Sequence, residues 1–156
     1  MTSGVQKKIA HDAKEFERKI HPVLIIFPYG LFTTAPIFDI LRVITGNATF
    51  SRTSYYMIAG GIISGLVAAV TGFIDWRDIP PNTRARAMGL WHGLGNILVV
   101  ILFAISWRLR SPNPTAPTAA ALTFSYAAVI LALVTGWLGG ELVFRLRVGV
   151  RAPPKG

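Results

Sequence analysis

The sequence predicts an all-α protein: an integral membrane four-helix bundle, both termini cytoplasmic, preceded by an amphipathic interfacial helix. Three observations carry this reading. Apolar residues make up 52% of the 156 positions and mean hydropathy is +0.50, yet they come in long runs and not in the alternation that suits strands. Four runs are each roughly 23 to 27 residues long, about 35–40 Å of helix, enough for a ~30 Å hydrocarbon core. Nearly all of the 16 Lys and Arg lie outside the runs or at their ends, where topology and anionic headgroups account for a net charge of +9. That placement argues against a nucleic-acid partner, which the same charge would suggest in a soluble chain. The chain has no Cys, which excludes disulfides, thiolate zinc sites and iron–sulfur ligation by its own residues.

Residues 1–20 come first. The late start of the apolar runs and this charged lead-in argue against a signal peptide. Val5, Ile9, Ala13, Phe16 and Ile20 recur at helical spacing, with Lys7, Lys8, Lys14, Arg18 and Lys19 on the other faces. Such a stripe fits a helix lying in the membrane interface, and a solvated lead-in is the alternative. Residues 21–146 form the membrane domain, with spans over 21–44, 54–76, 87–109 and 118–144. Residues 147–156 make a mobile basic tail.

Pro22 suits the first turn of the first span, and Pro28 and Pro36 predict kinks within it. Asp39, near its far end, is read as a local ion pair with Arg42 or a water-exposed group. A polar loop with Gly46, Asn47 and Arg52 precedes the second span, which opens with Tyr55 and Tyr56 at interfacial depth. Gly61 and Gly65 form a small-xxx-small pair for close helix approach, on a face that ends in Asp75. A charged turn with Pro80 and Pro81 follows, and the third span then runs to Trp107 and Arg108. A Pro-rich loop over residues 111–117 cannot continue that helix. Ser125, Ala128, Ala132, Thr135 and Gly139 line the seam of the fourth span. Lys and Arg divide twelve to four between the two sides, which places both termini in the cytoplasm.

With that topology each span carries one ionisable group into the same half of the bilayer: His21, Asp75, His92 and Glu141. An ionisable side chain at such depth is a functional-site hypothesis. His92 shares a helix face with Gly89, Gly93 and Asn96. Three readings compete. In the first, His21 and His92 hold a b-type haem, glycines giving the flat ring its room. In the second, His21, His92, Asp75 and Glu141 form a metal or proton site, although no pair has a ligand-spacing motif. In the third, all four are structural: Asp75 pairs with Arg77 or Arg84, Glu141 with Arg145, and His92 bonds Asn96 or a backbone carbonyl. Glu141 is the weakest candidate, turned roughly 160° from Gly139 at 100° per residue. Hydrolase, P-loop and dinucleotide motifs are absent. Gly93-Leu94-Gly95 has no third glycine and no preceding strand.

Four stretches carry a family resemblance. They are His21-Pro22-Val23-Leu24-Ile25-Ile26-Phe27-Pro28-Tyr29-Gly30-Leu31, Gly72-Phe73-Ile74-Asp75-Trp76, Arg86 with His92 and Asn96, and Gly136-Trp137-Leu138-Gly139-Gly140-Glu141-Leu142-Val143. Together they resemble a family of small prokaryotic membrane proteins, the domain of unknown function 2231, over residues 21 to about 149. The resemblance implies four spans and brings no established reaction. Similar domains occur fused or adjacent to Rieske-type ferredoxin modules, which implies a redox setting whose iron–sulfur partner would be a separate protein. The resulting expectation is an electron carrier or accessory subunit of a membrane complex, not a stand-alone enzyme. It would contact lipid and other membrane subunits and carry haem b. A non-catalytic structural subunit is the alternative.

Overall fold

The structure, a computed structural model, describes Gly4, Gln6 and residues 21–150. The apolar stripe of residues 1–20 and residues 151–156 of the tail lie outside the described residues. Four helices follow in order: α1 over Ile26–Thr45, α2 over Ala48–Arg77, α3 over Arg84–Arg110 and α4 over Ala119–Gly140. A π-helical turn over Glu141–Arg145 extends α4. Among the described residues there is no strand, and all four helical segments are long and apolar enough to cross a membrane.

Local chemistry sets the helix ends. One helical turn starts at His21 and is interrupted at Ile25, so the first span covers His21–Thr45. Pro28 explains the break, because its ring has no N–H to give to Leu24, one turn back. Pro36, by contrast, sits inside an uninterrupted helix. Gly46 ends α1 in the left-handed conformation (φ 73°) and its N–H donates to the Arg42 carbonyl. The Asn47 side chain then accepts from the Thr49 N–H and starts α2 at once. The expected polar loop is therefore just two residues long, and Arg52 lies on a helix. Thr83 and Thr118 cap α3 and α4 in the same way, through the N–H groups of Arg86 and Ala121.

The bundle is inside-out in character. Within the 18-residue apolar stretch of each span only 11% to 28% is buried, and many of the buried positions carry small side chains. Ala35, Ala128 and Ala132 pack with Phe32, Ile58, Val99 and Phe103, while large residues such as Ile63, Val70, Ile130 and Phe144 face outward. That is the pattern expected where lipid replaces water as the surrounding medium.

The two hairpins, α1–α2 and α3–α4, repeat each other. The buried positions Pro28, Phe32, Ala35 and Asp39 of α1 correspond to Val99, Phe103, Ser106 and Arg110 of α3 at a constant offset of 71. In α2, Ser54, Ile58, Gly61, Gly65 and Ala68 correspond to Ala121, Ser125, Ala128, Ala132 and Thr135 of α4 at a constant offset of 67. Two of these pairs meet each other in space. Phe32 stacks on Phe103 with centroids 4.1 Å apart and rings 3° from parallel, and Asp39 bonds Arg110. An approximate two-fold axis therefore runs between α1 and α3, along the bundle, and relates two parallel repeats.

Candidate functional site

His21 and His92 obey the same offset of 71, and their surroundings repeat as well. The His92 Nδ1–H donates to the Thr135 carbonyl at 2.8 Å. The His21 Nδ1–H donates to the Ala68 carbonyl at 3.1 Å and also reaches Thr71 Oγ1 at 3.1 Å. A carbonyl can only accept, so both rings carry their proton on Nδ1. Ala68 and Thr135 are equivalent positions of α2 and α4. Four residues further on in each helix stands the glycine on which the ring rests. A Cβ at Gly72 would lie 2.8 Å from His21 Cε1, and one at Gly139 would lie 2.9 Å from His92 Cε1. Each imidazole is thus seated between a carbonyl and a glycine of its partner helix.

The Nε2 atoms differ. His21 Nε2 makes no hydrogen bond among the described residues. His92 Nε2 accepts from Asn96 Nδ2 at 3.1 Å. That amide also donates to the His92 carbonyl at 2.9 Å, and its Oδ1 accepts from Thr135 Oγ1 at 3.0 Å. His92, Asn96 and Thr135 thus form a closed network across α3 and α4. The neighbouring glycines have separate uses. A Cβ at Gly93 would meet nothing within 4 Å, whereas one at Gly89 would lie 2.9 Å from Trp76 Cδ1. Gly89 therefore admits the Trp76 ring. That ring lies 4.1 Å from the Arg86 guanidinium and donates from Nε1 to the Arg86 carbonyl. Arg86 in turn caps the end of α2 with hydrogen bonds to the carbonyls of Trp76, Arg77 and Ile79.

Among the described residues no three of His, Asp or Glu are grouped to hold a metal ion. Glu141 pairs with Arg145 one turn on, at 3.2 Å, as the structural reading of that residue anticipated.

A second polar site lies at the other end of the bundle. Arg110 is fully buried and grips Asp39, itself 2% exposed, with Nη1–Oδ1 at 2.8 Å and Nη2–Oδ2 at 2.7 Å. Ser54 Oγ donates to Asp39 Oδ2, and Arg110 Nε donates to Ser106 Oγ, which itself donates to the Ala121 carbonyl. All four helices are joined here. The expected pairing of Asp39 with Arg42 is corrected: an i,i+3 neighbour shares its helix surface, but Asp39 faces the axis and its partner comes from α3. The signal was present in the chain as His21-x10-Phe32-x6-Asp39 and His92-x10-Phe103-x6-Arg110, one spacing used twice with opposite charges.

A model of the family described as predicted membrane protein DUF2231 matches residues 17–152. No curated protein and no solved structure matches the chain. The match takes in all four helices, both histidines and the Asp39–Arg110 pair, and the chain belongs to the DUF2231 family of predicted membrane proteins.

Proposed function

We propose that the protein is a redox-associated subunit of a membrane complex, in which His21 and His92 would hold one b-type haem. The observation that supports this reading is the shared seating of the two rings: each Nδ1–H is held by a backbone carbonyl and turns Nε2 away from it. Metal-ligating histidines are held in this way, because the outer hydrogen bond fixes tautomer and ring direction. His21 Nε2 has no hydrogen-bond partner among the described residues. His92 Nε2 becomes free when Asn96 keeps only its bond to the His92 carbonyl. Gly93 gives open space beside His92, and Gly89 keeps its role under Trp76. Bound there, the haem supplies reversible one-electron transfer. The residues of the chain hold the ring nitrogens, exclude water through the Phe32–Phe103 stack, and set the separation of α1 and α3. The chain acts as a carrier or accessory subunit and not as a stand-alone enzyme. The reading puts both termini, and with them the histidine end, on the cytoplasmic side of a prokaryotic inner membrane, and the Lys and Arg bias supports that orientation.

The test is an absorbance spectrum of the purified protein with and without dithionite. A Soret band and a redox-sensitive α-band, lost in both His21→Ala and His92→Ala, are expected. A colourless protein after expression with ample haem supply rejects the haem reading, and loss in only one variant replaces the paired-histidine site with another ligand. A second reading, a structural subunit without cofactor, is favoured by the closed His92–Asn96–Thr135 network. It predicts a colourless protein that co-purifies with larger partners. Metal or proton handling by His21, His92, Asp75 and Glu141 together has less support, because among the described residues no three such groups stand together and Glu141 pairs with Arg145.

A further inference from the structure

An approximate two-fold makes differences between the halves informative, and one lies beside His92. A groove of about 570 Å³ runs down the outer face between α3 and α4, with Met88, Leu94, Leu98, Leu131 and Val134 among its walls. Gly95 and Thr135 also line it. Gly95 brings the helices together there, since a Cβ would overlap Thr135 Cγ2. At the equivalent positions of the first half, Leu24 stands in place of Gly95 and Phe27 in place of Leu98. At these two positions of the α3 wall the second half carries the smaller residue. In the opposite wall Leu131 and Leu138 stand where α2 has Ser64 and Thr71, so the groove is apolar along its length. Its one charged lining residue is Arg84, at the first position of α3. Arg84 makes no ion pair or side-chain hydrogen bond among the described residues, in contrast to Arg86, which is used up on three carbonyls.

We propose that this groove holds an acyl chain of an anionic phospholipid, with the Arg84 guanidinium bound to its phosphate. The shape and charge match one occupant: a long apolar body with a single negative group at the interfacial end, where the guanidinium gives charge-assisted hydrogen bonds. A neutral or zwitterionic lipid would fill the same walls but would leave a net cation at the mouth. Thr135 lines the groove and also anchors His92 through its carbonyl, so the occupant packs against the element that positions that ring. The inference stands whether or not a haem is bound.

The experiment is native mass spectrometry of the full chain released from mild detergent doped with equal phosphatidylglycerol and phosphatidylcholine. A retained phosphatidylglycerol adduct in at least tenfold excess is expected, reduced about tenfold in Arg84→Gln and lost in Leu98→Phe, which restores the bulk found at Phe27. Helical circular dichroism checks that both variants fold, and Arg77→Gln, outside the groove, serves as the control for general charge and is expected to keep the adduct. Equal retention of the two lipids overturns the proposal. So does equal loss in Arg84→Gln and Arg77→Gln, or an adduct unchanged in Leu98→Phe.

Discussion

Asp39 and Arg110 form a bidentate ion pair across the bundle axis, and they stand at the same 71-residue offset that relates His21 to His92. One symmetric frame therefore carries two axial pairs. At one end the equivalent residues are identical and present two like rings. At the other they have opposite charges and lock the halves together.

The lock sets the first prediction. Removing one partner leaves a buried charge without compensation, a loss of about 3–5 kcal/mol. Arg110→Met and Asp39→Leu are each expected to lower the melting temperature in detergent sharply. The double variant Asp39→Leu/Arg110→Met is expected to recover much of the loss, since it leaves no stranded charge. A double variant that loses the sum of the two single losses would show that the pair carries no coupling.

The second prediction compares glycines. Gly61→Ala drives a Cβ to 2.5 Å from Phe32 Cε1, which disturbs the Phe32–Phe103 stack and costs roughly 1–3 kcal/mol as overpacking. Gly93→Ala, with nothing within 4 Å, is expected to melt within about 0.5 kcal/mol of the parent, as substitutions away from tight features do. Thermal unfolding of the two variants side by side checks the contrast, and the reverse order would contradict the packing described.

Asn96 provides the third. Asn96→Ala removes the donor to His92 Nε2 and the acceptor for Thr135 Oγ1, with a stability loss of about 1–2 kcal/mol. Under the haem reading the same variant frees a ligand lone pair, so its Soret absorbance per protein is expected to equal or exceed that of the parent. A band abolished by Asn96→Ala would mean that Asn96 holds the ring and does not compete for it.

Topology gives the fourth. The chain has no Cys, so single cysteines report without background. Pro81→Cys, in the turn between α2 and α3, is expected to resist a membrane-impermeant thiol reagent applied to intact cells. Pro112→Cys, at the other end of α3, is expected to react. The opposite labelling pattern would invert the orientation deduced from the Lys and Arg bias.

The sequence alone determined the number of spans, the all-helical class and the placement of His21 and His92 at one end of the bundle. Those features follow from the length of apolar runs and from counting crossings, and both are local or additive properties. Helical spacing also identified the faces that became the core, including the Gly61–Gly65 seam and the Ala128–Ala132–Thr135 line. One of the three competing readings had His92 bonding Asn96 or a carbonyl, and the ring bonds both.

Only the tertiary structure decided which faces meet. Asp39 had a neighbouring arginine on its own helix, yet its partner came from 71 residues away because a helix period fixes a direction and not the group that waits there. Trp76 and Arg86 found each other across the α2–α3 turn for the same reason, with Gly89 making the room. The two-fold relation shows in the chain only as the repeated spacing from each histidine to its phenylalanine and charged residue, since most equivalent core positions share burial and not identity: Gly61 answers Ala128, and Ile58 answers Ser125. The close approach of two helices, and with it the seating of each histidine on a glycine, is a property of pairs of helices that no single segment encodes.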